Sequence, residues 1–162
     1  MRRATAITPA GSWPADQAVA TVTLDFDDRF RRRIKLDDDA GEAFLLDLSE
    51  AAHLRHGDGL RLEDGGMLAV HAAPEDVIDI ACGSPRELSR IAWHLGNRHT
   101  PVQVLDDGGL RIRYDHVLME MVIGLGATAE KTSAPFDPEP GAYSGDGNLS
   151  HSHSHGSLDH AH

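Results

Sequence analysis

Apolar and polar positions alternate along the chain from Ala18 to about Ala72: Val22, Leu24 and Phe26, then Ile34 and Leu36, then Phe44, Leu46 and Leu48, then Leu60 and Leu62, then Leu68 and Val70. A period of two buries one face of a strand and wets the other, so this stretch predicts a small β domain. Asp37-Asp38-Asp39-Ala40-Gly41, Gly57-Asp58-Gly59 and Asp64-Gly65-Gly66 punctuate it. These residues tolerate positive φ or bond their own backbone, as turns require.

Beyond Pro74 the period changes. Val77-Ile78-Asp79-Ile80 predicts a short strand, and Ser84-Pro85-Arg86-Glu87 joins a capping-box Ser and Glu to a proline at the first helical position. Leu88, Ile91, Ala92 and Leu95 follow at helical spacing, so a helix is expected from about Pro85 to Leu95, stopped by Gly96-Asn97. Val102-Gln103-Val104 and Leu110 to Tyr114, separated by Asp106-Asp107-Gly108-Gly109, predict a hairpin. Asp115 is placed to cap a second helix, whose apolar positions Val117, Leu118, Met121, Val122 and Leu125 end at Gly126, and a last strand is expected near Ala127 to Lys131.

The resulting order, βαββαβ, is that of a ferredoxin-like sandwich, and the chain as a whole reads as α+β. Pro135, Pro138 and Pro140 are expected to break regular structure. From Ser144 onward Gly, Ser, Asp, Asn and His dominate, with Leu149 and Leu158 the only sizeable apolar residues. Such a tail cannot repay its conformational entropy and is expected to be disordered. The expected division is a β domain over 1–74, a second domain over 75–143 and the tail over 144–162.

Composition adjusts this picture in three ways. With 162 residues, 40% of them apolar, the chain can build one ordinary domain or two small ones, although an aromatic content of 5% leaves burial mostly to aliphatic side chains. A formal charge of -11 argues against affinity for nucleic acid or an anionic membrane, since both are polyanions, and favours cations or basic partners. No stretch approaches the roughly 18 to 20 apolar residues that span a bilayer, and the N-terminus has no sustained apolar core, so a cytoplasmic location is expected. The single Cys82, beside Ile80 and Ala81, excludes an intramolecular disulfide and every multi-cysteine zinc site, and reads as a buried structural thiol.

Eleven histidines are the anomaly. His151, His153, His155, His160 and His162 all fall in the last twelve residues. Neutral imidazole suits nickel, zinc and copper, and a tail bearing several can wrap a cation without a preformed cage. A purification tag is usually an uninterrupted run, whereas this one is broken by Ser, Gly, Leu and Asp, which favours native metal binding.

Within the folded part, His94 and His99 flank the end of the first helix and His116 opens the second. Taken singly, each is better explained as a helix-end residue than as a ligand. One or two imidazoles per chain cannot enclose a metal ion, so a site here needs the tail or a two-fold axis supplying the same residue from a second chain. The run Arg31-Arg32-Arg33-Ile34-Lys35 reads as a charged strand edge rather than a contact for an acidic partner. Asp37-Asp38-Asp39 reads as a turn facing water rather than a hard-cation site. Catalytic motifs are missing: there is no Gly-x-Ser-x-Gly, His-Glu-x-x-His, P-loop or dinucleotide glycine motif.

Trp93-His94-Leu95-Gly96-Asn97-Arg98-His99-Thr100-Pro101-Val102-Gln103 resembles the signature of the UreE urease accessory family, nickel metallochaperones. Leu110-Arg111 with Tyr114-Asp115-His116-Val117-Leu118, Gly124-Leu125-Gly126-Ala127, and the run from Ala134 to Tyr143 match the same family. The resemblance is specific from about Glu87 to Tyr143 and only general in the first half.

It implies a peptide-binding-like β domain followed by a ferredoxin-like metal domain that dimerises, with Ni2+ as the carried ion and Zn2+ or Cu2+ as competitors. It implies as partners a second copy of the chain, the urease apoprotein, and other urease accessory proteins including the GTPase. His99 matches the histidine that supplies the shared nickel site at the dimer interface. By its position alone, Arg98 before it reads as a helix cap rather than a contact for an acidic partner group. His116 matches a family histidine associated with secondary metal binding, while Tyr114 stands where some of those members carry another histidine. The tail histidines follow where many members carry a His-rich end, and His94 is left structural.

Overall fold

The computed structural model describes residues 1–141. The tail histidines therefore lie outside the described residues. Two sheets organise the rest. The first contains β1 (Arg2–Thr8), β2 (Ala20–Leu24), β3 (Phe30–Asp37), β4 (Ala43–His53), β5 (Gly59–Leu62) and β6 (Met67–Ala72), in the order β2-β6-β5-β1-β4-β3. The alternation read from the sequence is the burial pattern here: Phe44, Leu46 and Leu48 on β4 meet Leu60, Leu62, Leu68 and Val70 in one apolar core.

β1 is a correction to the reading from periodicity, which began at Ala18. This strand sits in the middle of the sheet, parallel to β4 (Ala4 opposite Leu46) and antiparallel to β5. Its sequence, Arg-Arg-Ala-Thr-Ala-Ile-Thr, has too little apolar content to announce a central strand, and tertiary ion pairs make up for it. Arg2 meets Asp38 at 2.7 Å, and Arg3 meets Asp47 at 2.6 Å and Glu63 at 2.9 Å.

The acidic turn is a second correction. Asp38 is buried rather than water-facing: its carboxylate accepts the N–H groups of Ala40 and Glu42 and the Arg2 guanidinium. Asp39 accepts from the Thr21 and Thr23 hydroxyls and the Thr23 N–H, tying the turn to β2. Gly41 closes the turn at φ 84°, a conformation that glycine adopts without a Cβ penalty. β3, which carries the arginine run, is an edge strand.

The chain enters the second sheet without a connecting loop. β7 (Pro74–Ala81) is followed by α1 (Pro85–Asn97), β8 (Gln103–Val104), β9 (Leu110–Arg113), α2 (His116–Gly124) and β10 (Thr128–Pro135). The strand order is β10-β7-β9-β8, antiparallel throughout, and Ile78, Ile80, Leu110 and Ile112 pack against Ile91 and Leu95 of α1 and Val122 of α2. Pro135 does not break the structure; it ends β10 opposite Pro74, an edge position where a missing N–H is tolerated. Cys82 is half-buried against this core, and burial together with the nearby Glu87 carboxylate pushes its thiol up, which disfavours the thiolate.

Arg29, in a 3-10 turn over Asp27–Arg29, joins the two halves. Its fully buried side chain bonds Leu54 O and Asp25 O in the first half and Phe136 O and Asp137 in the second. Phe26 packs at a tilt against Phe136 and lies under the Arg113 guanidinium, which pairs with Asp27 at 2.9 Å.

Candidate metal site

The end of α1 positions His99. The helix begins as its sequence dictates, with Ser84 Oγ accepting the Glu87 N–H at 3.1 Å and Pro85 in the first turn; Glu87 reaches back to the Gly83 N–H. Ile91 and Leu95, four residues apart, bury the inner face. The expected stop at Gly96-Asn97 is displaced, because both residues are helical. The chain turns instead at His99, with φ 57°, the only described residue other than glycine in the left-handed region.

The closing bonds run from Thr100 N–H to Leu95 O at 3.1 Å and from His99 N–H to Gly96 O at 3.0 Å. These are the two bonds of a Schellman ending, with His99 in the position that glycine usually fills and Pro101 just beyond. An imidazole held there is carried away from the helix on a turn of defined geometry.

His99 is exposed and forms part of the rim of an open cavity of about 600 Å³, with Glu75, Asp76, Arg98, Thr100, Pro101, Arg113, Tyr114, Asp115 and Leu118. The carboxylates around it are engaged. Asp115 caps α2 by accepting from Val117 and Leu118 N–H, Glu75 accepts the Phe26 N–H, and Asp76 stands 3.9 Å from Lys131. Arg98 ends the helix through its backbone, while its side chain makes no hydrogen bond or ion pair among the described residues.

His116 is the first residue of α2, exposed, and outside the cavity wall. Tyr114 lies beneath the Lys131 ammonium at 4.1 Å. His94 is half-buried, edge-on to Trp93 with ring centroids 5.0 Å apart. Among the described residues no three of His, Cys, Asp and Glu come together in a way that could hold a metal ion. A site at His99 therefore needs donors from elsewhere.

The histidines of the first half stand in no sequence motif. His56 and His71 stand with ring centroids 5.5 Å apart, and His56 Nδ1 accepts the Ala72 N–H, tying the turn before β5 to β6 in a pairing that no motif announces. His53 packs on Phe26 with its Nε2 buried and unpartnered among the described residues.

Two family models divide the chain between them: the N-terminal domain of the UreE urease accessory protein matches residues 2–73, and its C-terminal domain matches residues 75–162. Similar full-length relatives agree. Urease accessory protein UreE of Rhodopseudomonas palustris (strain BisB18) is 53% identical over 153 residues, 94% of this chain and 72% of the relative. That of Beijerinckia indica is 47% identical over 154 residues, 95% of this chain and 88% of the relative. That of Rhodobacter capsulatus is 43% identical over 153 residues, 94% of each. With models and relatives spanning nearly its whole length, the chain belongs to the UreE urease accessory protein family.

Proposed function

We propose that this protein captures nickel through histidines and hands it to the urease assembly complex. Membership of the family makes the chain an accessory chaperone of urease maturation and not an enzyme. The nickel reading goes further, and one observation carries it: His99, an imidazole occupying an exposed left-handed position where glycine would be less strained. A residue kept at such a cost is explained by what its side chain does.

Since no three donors gather around His99 among the described residues and the carboxylates of its cavity are engaged elsewhere, two chains related by a two-fold axis supply one imidazole each. Exposed Trp93, Val117 and Ile123 on the two helices offer apolar surface for such pairing. The tail histidines, His151, His153, His155, His160 and His162, collect the ion, and His116 is at most an auxiliary ligand. Few ligands at an exposed position keep exchange easy, whereas a closed four-ligand site would resist release. Zinc and copper compete for the same imidazoles. The 75–143 unit is a ferredoxin-like metal and dimerisation domain, 1–74 a peptide-binding-like domain and 144–162 the collecting tail. Handover is to the urease apoprotein and the other accessory proteins, including the GTPase, in the cytoplasm. No helix among the described residues is long and apolar enough to cross a membrane.

Calorimetric counting of nickel tests this. Ending the chain at Tyr143 lowers the stoichiometry and leaves one tight ion per dimer; adding His99→Ala removes that ion. A tight ion surviving in the truncated His99→Ala protein overturns the assignment. Binding weakens in acid, because protonated imidazole cannot ligate.

A further inference from the structure

After β10 the chain crosses back over the molecule as a strap. Phe136 and Pro138 are buried; the Asp137 N–H donates to Gln103 Oε1 at 3.0 Å, and the Glu139 N–H donates to Val102 O at 2.8 Å. Segment 136–139 thus runs alongside the start of β8. Val102 is three residues beyond His99, and Pro101 between them has a fixed φ, so a shift of Val102 passes to the His99 turn with little slack.

The other side of the strap is gripped by Arg29. The guanidinium meets Phe136 O and Asp137 Oδ1, the latter at 3.1 Å, while its remaining donors reach Leu54 O and Asp25 O, each at 3.3 Å. Arg55 reaches the same Asp137 carboxylate at 3.5 Å. Arg29 is the most deeply buried charged side chain among the described residues. An ion pair with one partner so deeply buried is often no more stabilising than apolar packing of equal volume, and its best-attested use is to fix register. A planar fork of donors allows the strap one position, where an apolar contact would let it slide.

We propose that Arg29 is a positioning residue for nickel capture, acting through the Phe136–Glu139 strap to hold the His99 turn in its binding geometry. The proposal rests on the reading that His99 ligates nickel.

The test uses the full chain with the five tail histidines replaced by alanine, so that only the His99 site is read. Nickel affinity and amide hydrogen exchange of the metal-free protein are measured for this parent, Arg29→Met, Gln103→Ala and the double variant. Gln103→Ala removes the side-chain bond between strap and β8, leaving the Glu139 to Val102 bond and Arg29 in place, and it keeps the test alive if Arg29→Met fails to fold. Gln103→Ala is expected to weaken nickel about tenfold, within the range by which residues that touch no ligand modulate a distant site. Folded Arg29→Met does the same, and the double variant is no worse than the stronger single change, since both act through one strap. Exchange quickens at Asp137 and Glu139 and also at His99 and Thr100. Unchanged nickel affinity in folded Gln103→Ala, or additive losses in the double variant, overturns the proposal. If the parent itself binds no nickel, the reading of His99 as a ligand fails instead, and the exchange at His99 and Thr100 decides the coupling: quickening supports it, and unaltered rates defeat it.

Discussion

The backbone N–H of His99 reaches Gly96 O at 3.0 Å while His99 itself holds φ at 57°, so the imidazole stands on the residue that closes α1. A side chain in the left-handed region costs about 1 kcal/mol or more, and glycine relieves it. His99→Gly is therefore expected to melt at the wild-type temperature or above, with His99→Ala close to wild type, while both lose the tight nickel site. Calorimetric melting beside nickel titration checks this. A marked fall in the melting temperature of His99→Gly would mean that the imidazole supports the fold.

Leu95 serves the same turn twice, through its carbonyl, which accepts the Thr100 N–H, and through its fully buried side chain. Only the side chain is removed by Leu95→Ala, and the expected loss is about 2 to 5 kcal/mol, the usual cost of a core cavity. Ser84→Ala at the other end of the helix loses one cap and about 1 kcal/mol. Urea unfolding of the two variants should rank them in that order; equal losses would mean that the α1 core is looser than its burial implies.

Acid should destabilise the first half through β1. The Arg3 hydrogen bond holds the Asp47 carboxyl below its ordinary range, and the Arg2 hydrogen bond, helped by the Glu42 N–H, does the same for Asp38. For Asp39 burial pulls upward, but the bonds from Thr21 and Thr23 outweigh it and the net is again downward. A carboxyl depressed in the folded state stabilises above the unfolded value of about 4, and that contribution is lost as pH falls through the lower folded value. Urea midpoints measured from pH 6 down to about pH 2 should fall below about pH 4. The fall should be shallower in Asp47→Asn, which starts from a lower midpoint; an identical acid slope would show that the Arg3 pair does not contribute.

His53 gives a separate pH response. Burial first, and the nearby Arg29 next, hold its imidazole below the ordinary value, with Arg55 adding to this and Asp137 and Asp58 opposing it. The folded state thus prefers neutral His53, so stability is complete above the unfolded value of about 6.5 and declines as pH falls from there through the folded value. His53→Phe keeps the aromatic contact with Phe26 and Phe30 and removes the titration. Its stability should be flatter than wild type across that window, and the same slope in both proteins would assign the pH response to other groups.

Local chemistry made much of this protein legible. Alternating apolar residues marked β2 to β6, because a half-buried strand needs that period. Ser84-Pro85 and Asp115 marked the starts of both helices, because orphan N–H groups need acceptors close in sequence. The Gly-Asn-Arg-His motif singled out His99 through family resemblance, but the helix end was misplaced, since the left-handed position went to the histidine and not to Gly96. What the chain pattern could not contain were relations between distant residues. β1 is central because Asp38, Asp47 and Glu63 neutralise its arginines. Asp38 is buried because Arg2 reaches it, and Arg29 links the halves because Phe136 and Asp137 return to it across more than a hundred residues. Sequence alone determined the elements and the imidazole on offer, both consequences of local periodicity and side-chain chemistry. Tertiary structure decided which charges are buried and what holds the His99 turn, because those depend on desolvation and pairing that exist only once the chain has folded.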